Sequence, residues 1–246
     1  GKQQKGPANR TAVLTVGRTV EFDFRVLERG VPVEGARVRV VSSAPDIIAI
    51  QGDEFTPRLF VKARGQATIT ATLLGSTLGE NPPFVAAPIT GVVQAVAIDS
   101  ASVTFRSLAD TLRLRAEARD FNDQLIAGAG AGARWSTTNA AIVQADSISG
   151  RIAARGNGTA QVIARLDSTA DTTTVLVQQR LVRFAFAPVN LVLDALSLDT
   201  VVTVTPLDSG GAPLAGGAPA FTTTMTALNA GIASVVRLTN TTFRVT

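Results

Sequence analysis

The sequence predicts an all-β chain of tandem antiparallel β-sandwiches. Three observations carry that expectation. Apolar residues alternate with polar ones at a period of two, as strands with one buried face require. Gly and Pro, 21 and 11 of the 246 residues, interrupt these runs at short intervals, where turns between short strands belong. The pattern then restarts twice, at spacings of roughly ninety residues. No stretch holds a helical period long enough to assign a helix.

Composition narrows the class. A chain that is 46% hydrophobic and 17% charged is not disordered and can fill two or three small cores. The most apolar run, Val92–Ile98, is far too short to span a bilayer. There is no Cys, which removes disulfides and thiolate metal sites without excluding export. There is no His, so the commonest general base and metal ligand is missing. The formal net charge is +4, and the cations are Arg except for Lys2, Lys5 and Lys62. They are interleaved with Asp and Glu, which reads as solvated strand faces rather than a nucleic-acid surface. No signal peptide is visible, and an exported protein would already have lost it.

In chain order, residues 1–10 read as a flexible polar leader. Ala12–Val16 is a short strand stopped by Gly17. Thr19–Val26 alternates, with Val20, Phe22, Phe24 and Val26 on one face. Glu28–Gly30 turns the chain, Ala36–Val41 is the next strand, and Ile47–Ile50 follows a turn at Ser42–Asp46. Leu59–Gly65 and Gln66–Thr72 read as a hairpin about Gly65. Gly75–Pro83 is a loop, and Phe84–Gln94 is a strand whose Pro88 marks an edge or a bulge.

The second copy opens with Val96–Ser107. In its next strand Leu112, Leu114, Ala116 and Ala118 face in, and Arg113, Arg115, Glu117 and Arg119 face out. Asp120–Asp123 turns, Gly128–Gly132 is a flexible loop, and Trp135 sits on the third strand. Ile142–Ala145, Arg151–Arg155, Thr159–Arg165 and Thr172–Gln179 complete the copy, with Gly156-Asn157-Gly158 as a hairpin turn. The third copy has strands at Phe184–Leu193, Thr200–Leu207, Thr222–Thr226 and Arg237–Thr246.

The copies align on the sequence alone. Val40-Val-Ser-Ser-Ala-Pro-Asp-Ile47 matches Trp135-Ser-Thr-Thr-Asn-Ala-Ala-Ile142 and Met225-Thr-Ala-Leu-Asn-Ala-Gly-Ile232. About seven short strands per copy suggest sandwiches of immunoglobulin type. The expected domains are residues 1–94, 95–179 and 180–246, the last lacking its final two strands.

The Trp-Ser-Thr-Thr-Asn strand, followed by Gly150-x-Ile-x-Ala-x-Gly-x-Gly-Thr-Ala160, resembles the bacterial immunoglobulin-like domains of group 2, the invasin and intimin type. The match is fullest in the second copy; Val40 and Met225 replace the Trp in the others. The resemblance implies tandem surface-exposed sandwiches. Its motif is structural and assigns no functional residue.

Little in the chain points to chemistry. Asp120, Asn122 and Asp123 could offer oxygen ligands to calcium, as could Asp208–Gly211. The same residues favour turns by bonding their own backbone, and a turn is needed at both places. Phe121 is the candidate loop aromatic for a glycan, and Arg113 with Arg115 the candidate stripe for an anionic polymer. Trp135 reads as core. Ser and Thr abound without a base to activate them. Neither glycine cluster lies between a parallel strand and a helix, so neither cradles a phosphate.

The expectation is therefore a non-enzymatic structural or binding protein without a cofactor. It would act outside the cytoplasm, at the bacterial surface or in the periplasm, as stalk, adhesin segment or accessory subunit. Its partners would be other protein subunits, with strand complementation of the third copy as one route. No nucleic acid is expected, and no membrane span; membrane association would come through sequence outside this chain or through a partner. The alternatives are a carbohydrate- or polymer-binding module and a phage virion component.

Overall fold

The computed structural model describes residues 12–21, 26–28, 31–74, 84–195, 198–216 and 220–246. The leader at 1–10, Phe22 and Phe24, most of the Glu28–Gly30 turn and the 75–83 loop lie outside them. Among the described residues every element is a strand apart from one short 3-10 turn, Ala129–Gly132. The first group is β1 Ala12–Thr15, β2 Thr19–Glu21, β3 Leu27–Glu28, β4 Val31–Pro32, β5 Val38–Ser42, β6 Ile48–Gln51, β7 Arg58–Val61, β8 Gly65–Leu73 and β9 Phe84–Val92. The second is β10 Ala95–Ile98, β11 Ser102–Phe105, β12 Thr111–Arg113, β13 Ala116–Arg119, β14 Arg134–Thr137, β15 Val143–Ala145, β16 Arg151–Ala154, β17 Gly158–Leu166 and β18 Thr169–Val177. The third is β19 Arg183–Ala187, β20 Thr200–Leu207, β21 Val235–Arg237 and β22 Thr242–Val245. Among the described residues no helix is long and apolar enough to cross a membrane.

The strand orders are those of immunoglobulin-type sandwiches. In the first group the sheets run β1-β9-β8-β5 and β2-β7-β6. In the second they run β11-β18-β17-β14 and β12-β16-β15, with β10-β13 as a further pair. The third group forms one sheet, β19-β20-β22-β21. The ladders are antiparallel except where a short early strand lies parallel to the last one, β1 with β9 and β11 with β18. Pro88 falls where β9 is an edge on that side, because β1 pairs only with Ile89–Val92. A missing N–H is harmless there.

Several expectations are corrected. β7 and β8 lie in different sheets, as do β16 and β17, so the turns at Gly65 and Gly156–Gly158 are crossings between sheets and not hairpins. Alternation marks which residues face the core, and two strands facing each other across a core show the same alternation as two strands paired side by side. Val96–Ser107 is two strands in different sheets, β10 and β11. The strand Thr111–Arg119 breaks between β12 and β13, where Leu114 N bonds Gly150 O and Arg115 N bonds the Asp99 carboxylate. Leu112, expected inside, is 39% exposed. Gly128–Gly132 is an ordered 3-10 turn; a Cβ on Gly130 would come within 1.7 Å of Ala116 O, so only glycine allows this approach. β19 ends at Ala187 rather than Leu193. Residues 222–226 form no ladder. Their counterparts β5 and β14 pair with β8 and β17, and among the described residues no such strand pairs with residues 222–226.

The sequence alignment between copies recurs as hydrogen bonding. Ile47 and Ile48 N–H both donate to Ala44 O, Ile142 and Val143 to Asn139 O, and Ile232 and Ala233 to Asn229 O.

Two compact units result: Gly1–Ala97 with Ala116–Ala133 and Ala164–Asp171, and Ile98–Arg115 with Arg134–Ile163 and Thr172–Thr246. In the first, Ile48, Leu59, Ala67, Ile69 and Ile89 form one core cluster and Val93, Val96, Ala118 and Leu166 another. In the second, Trp135 is 6% exposed among buried Leu114, Val143, Ile152, Val162 and Val175. Gly150, at φ 69, passes against the Trp135 ring.

Candidate functional site

The polar features that bind segments most distant in sequence lie at two places, one in each unit. One is built on the turn that follows β13 and the other on the turn that follows β20. In the first unit this turn is Asp120–Gln124. Asp120 Oδ1 accepts from Asn122 N at 2.8 Å and Gln124 N at 2.9 Å, which closes the loop on its own carboxylate. Phe121 N then donates to Val16 O at 2.8 Å and Asn122 Nδ2 to Gly17 O at 3.2 Å. The Phe121 ring, 53% exposed, lies under the Arg18 guanidinium at 5.6 Å. Asp123 has φ 61, and its carbonyl accepts from Arg119 Nη1 at 2.9 Å. Asp120, Phe121 and Asn122 are thus gathered against Val16–Arg18, and Asp123 is held by Arg119. Among the described residues no three His, Cys, Asp or Glu side chains are grouped so as to hold a metal ion.

Asp167 strengthens the same region. Its carboxylate accepts from Arg64 Nε at 3.0 Å, Arg64 Nη2 at 2.6 Å and Val93 N at 2.9 Å. Burial pushes its carboxyl up, but the Arg64 bonds, the Val93 N–H and the Arg64 charge outweigh it and leave the carboxyl below the ordinary value.

In the second unit the turn is Asp208–Ala212, and the loop is closed in the same way: Asp208 Oδ1 accepts from Gly210 N at 3.0 Å and Ala212 N at 2.9 Å. Here the second oxygen is also used, by Leu108 N at 3.0 Å and Gln179 Nε2 at 2.8 Å. Gln179 is fully buried. Its amide donates to Asp208 and Pro213 O, and accepts from Asn157 Nδ2 at 2.9 Å and Ala215 N at 2.8 Å. All four amide valences are therefore met. Gln179 N donates to Asn157 Oδ1 at 2.7 Å. Burial raises the Asp208 carboxyl, and the donors from Gln179, Leu108, Ala212 and Ser107 together bring it below its ordinary value.

Arg113 and Arg115 are exposed in the second unit; Arg113 Nε donates to Ser149 O at 3.0 Å. Gln179 and Asn157 escaped sequence reasoning. The signal for Gln179 was there: it continues the inward set Thr173, Val175, Val177, where a polar residue needs partners. Asn157 gives none, because Gly-Asn-Gly is ordinary turn composition.

A third feature is the inner face of the last sheet. Phe184 pairs opposite Pro206 and Phe186 opposite Val204, so both rings share the face of buried Val202, Val204 and Phe243. They are nevertheless 39% and 48% exposed.

No family model matches the chain, and no curated protein matches it. Among solved structures it is similar to the S-layer protein rSbsC(31-844), at 14% identity over 89% of this chain and a TM-score of 0.32. It is also similar to a C-terminal 282-residue fragment of intimin in complex with the intimin-binding domain of the translocated intimin receptor, at 15% identity over 66% of this chain and 60% of that one, TM-score 0.38. Mouse cadherin-23 EC22-24 matches 73% of this chain and 66% of its own, at 13% identity and a TM-score of 0.31. The chain spans 30% of the S-layer chain's length.

Proposed function

We propose that this chain is a non-enzymatic spacer and attachment segment of a bacterial surface or periplasmic protein. It comprises three immunoglobulin-like domains with boundaries near residues 94 and 180, the third a single sheet among the described residues, related to the group 2 immunoglobulin-like domains. The observation that carries the reading is the pair of anchored loops. A spacer must hold successive domains in fixed register. Asp120 and Asp208 each lock a turn that bonds back to an earlier segment, and Gln179 seals the second place with a fully satisfied buried amide. Asp120 and Asn122 contribute to this anchoring through the bonds to Gln124 N and Gly17 O. The test is antibody labelling of intact cells that make the protein, beside osmotically released and cytosolic fractions. Label on intact cells or in the released fraction is expected; label confined to the cytosol overturns the reading.

The partner is another protein subunit, which lays a strand or sheet over the inner face of β19–β22. What supports this is the half-exposure of Phe184 and Phe186 beside a buried apolar row. A photo-crosslinking residue placed at Phe186 should capture a protein in whole cells, while one at exposed Val13 should not. Equal or absent capture at both positions removes the partner.

A further inference from the structure

Arg106, Arg180, Leu181, Val182 and Ser209 line an open cleft of about 460 Å3 in the second unit. Arg106 follows β11, Arg180 follows β18, and Ser209 is on the anchored loop. The two arginines are backbone neighbours, with Arg180 N donating to Arg106 O at 3.1 Å, and both line the one concavity. A third is close: Arg183 Nη2 lies 2.8 Å from where a Cβ on Gly211 of the same loop would stand.

Neither nearby carboxylate, Asp110 or Asp208, forms an ion pair with these arginines. Asp208 is fully buried and its oxygens face N–H groups of Gly210, Ala212, Leu108 and Gln179. Asp110 Oδ2 accepts from Arg106 N and Ser107 N, the backbone and not the guanidinium. Arg106 Nη1 donates to the neutral Gln178 side chain at 3.0 Å. Some exposed arginines elsewhere carry a carboxylate, as in Arg37–Glu54, Arg58–Glu21 and Arg244–Asp199, and others, such as Arg113 and Arg155, bond neutral oxygens. Among the described residues no ion pair involves Arg106, Arg180 or Arg183. Like charges gathered in a concavity repel, and a bound anion relieves that repulsion.

We propose that this cleft binds a small organic oxyanion, a carboxylate or phosphate on a sugar-sized body. The planar guanidinium forks match either oxyanion, and the Ser209 hydroxyl adds a donor. Leu181 and Val182 offer apolar surface to the carbon skeleton. The volume lies in the range of small-molecule sites and exceeds the needs of a bare ion.

Isothermal titration of the whole chain with glucuronate, glucose 6-phosphate, glucose and inorganic phosphate tests this. One or both sugar anions should bind and glucose should not. Raising the salt from about 50 to 500 mM should weaken binding several-fold, since the cleft is open. The double variant Arg106→Gln/Arg180→Gln should lose at least tenfold in affinity, with an unchanged circular dichroism spectrum and melting temperature. Arg134→Gln, exposed on β14, should bind like the parent. No binding of either sugar anion, equal binding of glucose, or an unaffected double variant overturns the proposal. Inorganic phosphate binding as tightly as glucose 6-phosphate overturns the role of Leu181 and Val182.

Discussion

Asp120 and Asp208 occupy the same loop of successive copies, yet the same substitution should cost very different amounts. Asp208→Asn keeps the shape of the side chain and removes its charge. In the parent both oxygens accept two N–H groups each, from Gly210 and Ala212 on one side and Leu108 and Gln179 on the other. An amide can present only one oxygen. Whichever way it turns, its NH2 faces two donors, and one of the pairs includes the fully buried Gln179. A buried donor left without an acceptor costs about 1–3 kcal/mol. Two such losses, eased by water at the loop's open side, give about 3 kcal/mol. At roughly 2–4 °C per kcal/mol for a chain of this size, melting should fall by about 10 °C. In Asp120 only Oδ1 accepts backbone N–H bonds. An amide can keep its oxygen there, so Asp120→Asn should cost less than about 1 kcal/mol.

The assay is urea unfolding followed by fluorescence of Trp135, the only Trp, which belongs to the same unit as Asp208. The pH dependence adds a second reading. Because the folded carboxyl of Asp208 lies below its ordinary value, its contribution is complete above the unfolded value, about 3.9. It is lost as pH falls through the lower folded value. The gap between the parent and Asp208→Asn should therefore be constant near neutrality and shrink below about pH 4. If Asp208→Asn lies within about 1 kcal/mol of the parent, or matches Asp120→Asn, the anchoring role is refuted.

Three further predictions rest on independent features. Thr173→Val should stabilise the protein by about 1 kcal/mol in the same assay, because the buried Thr173 hydroxyl has no hydrogen-bond partner; a loss would mean that a partner exists. A double-mutant cycle of Arg64→Ala and Asp167→Ala should give a coupling of about 1 kcal/mol that drops in 1 M salt, since the pair is bidentate and only partly exposed; zero coupling at low salt would dismiss the pair as a contributor. Gly150→Ala should cost at least about 2 kcal/mol and shift Trp135 emission. Its Cβ would stand 2.6 Å from Leu114 O and 2.9 Å from the Trp135 ring, so an unchanged emission maximum would speak against that packing.

Much of the architecture was legible because alternation and turn residues act locally. Val38, Leu59, Ile69, Ile152, Val162 and Val175 are all buried, and each belongs to a run whose period of two marks its inward side. The match of Ala44, Asn139 and Asn229 was readable too, because one short turn recurs with its hydrogen bonds. Trp135 was correctly placed in the core from the apolar residues Val40 and Met225 at its matched positions.

What the chain alone determined, then, is strand content, the facing of most strands and the spacing of the copies, since these follow from neighbouring residues and the pleat; Leu112 departs because its strand breaks after Arg113. Only the tertiary structure decided which strands pair. The crossings at Gly65 and Gly158 send consecutive strands to opposite sheets, a choice made by contacts far apart in sequence. The same is true of the polar anchors. Asp120 and Asp208 look alike as residues, and what separates them is the arrival of Gln179 and Leu108 at one carboxylate and not the other. Arg106 and Arg180, 74 positions apart in the numbering, share a cleft for the same reason: their strands run side by side in one sheet, with β11 parallel to β18.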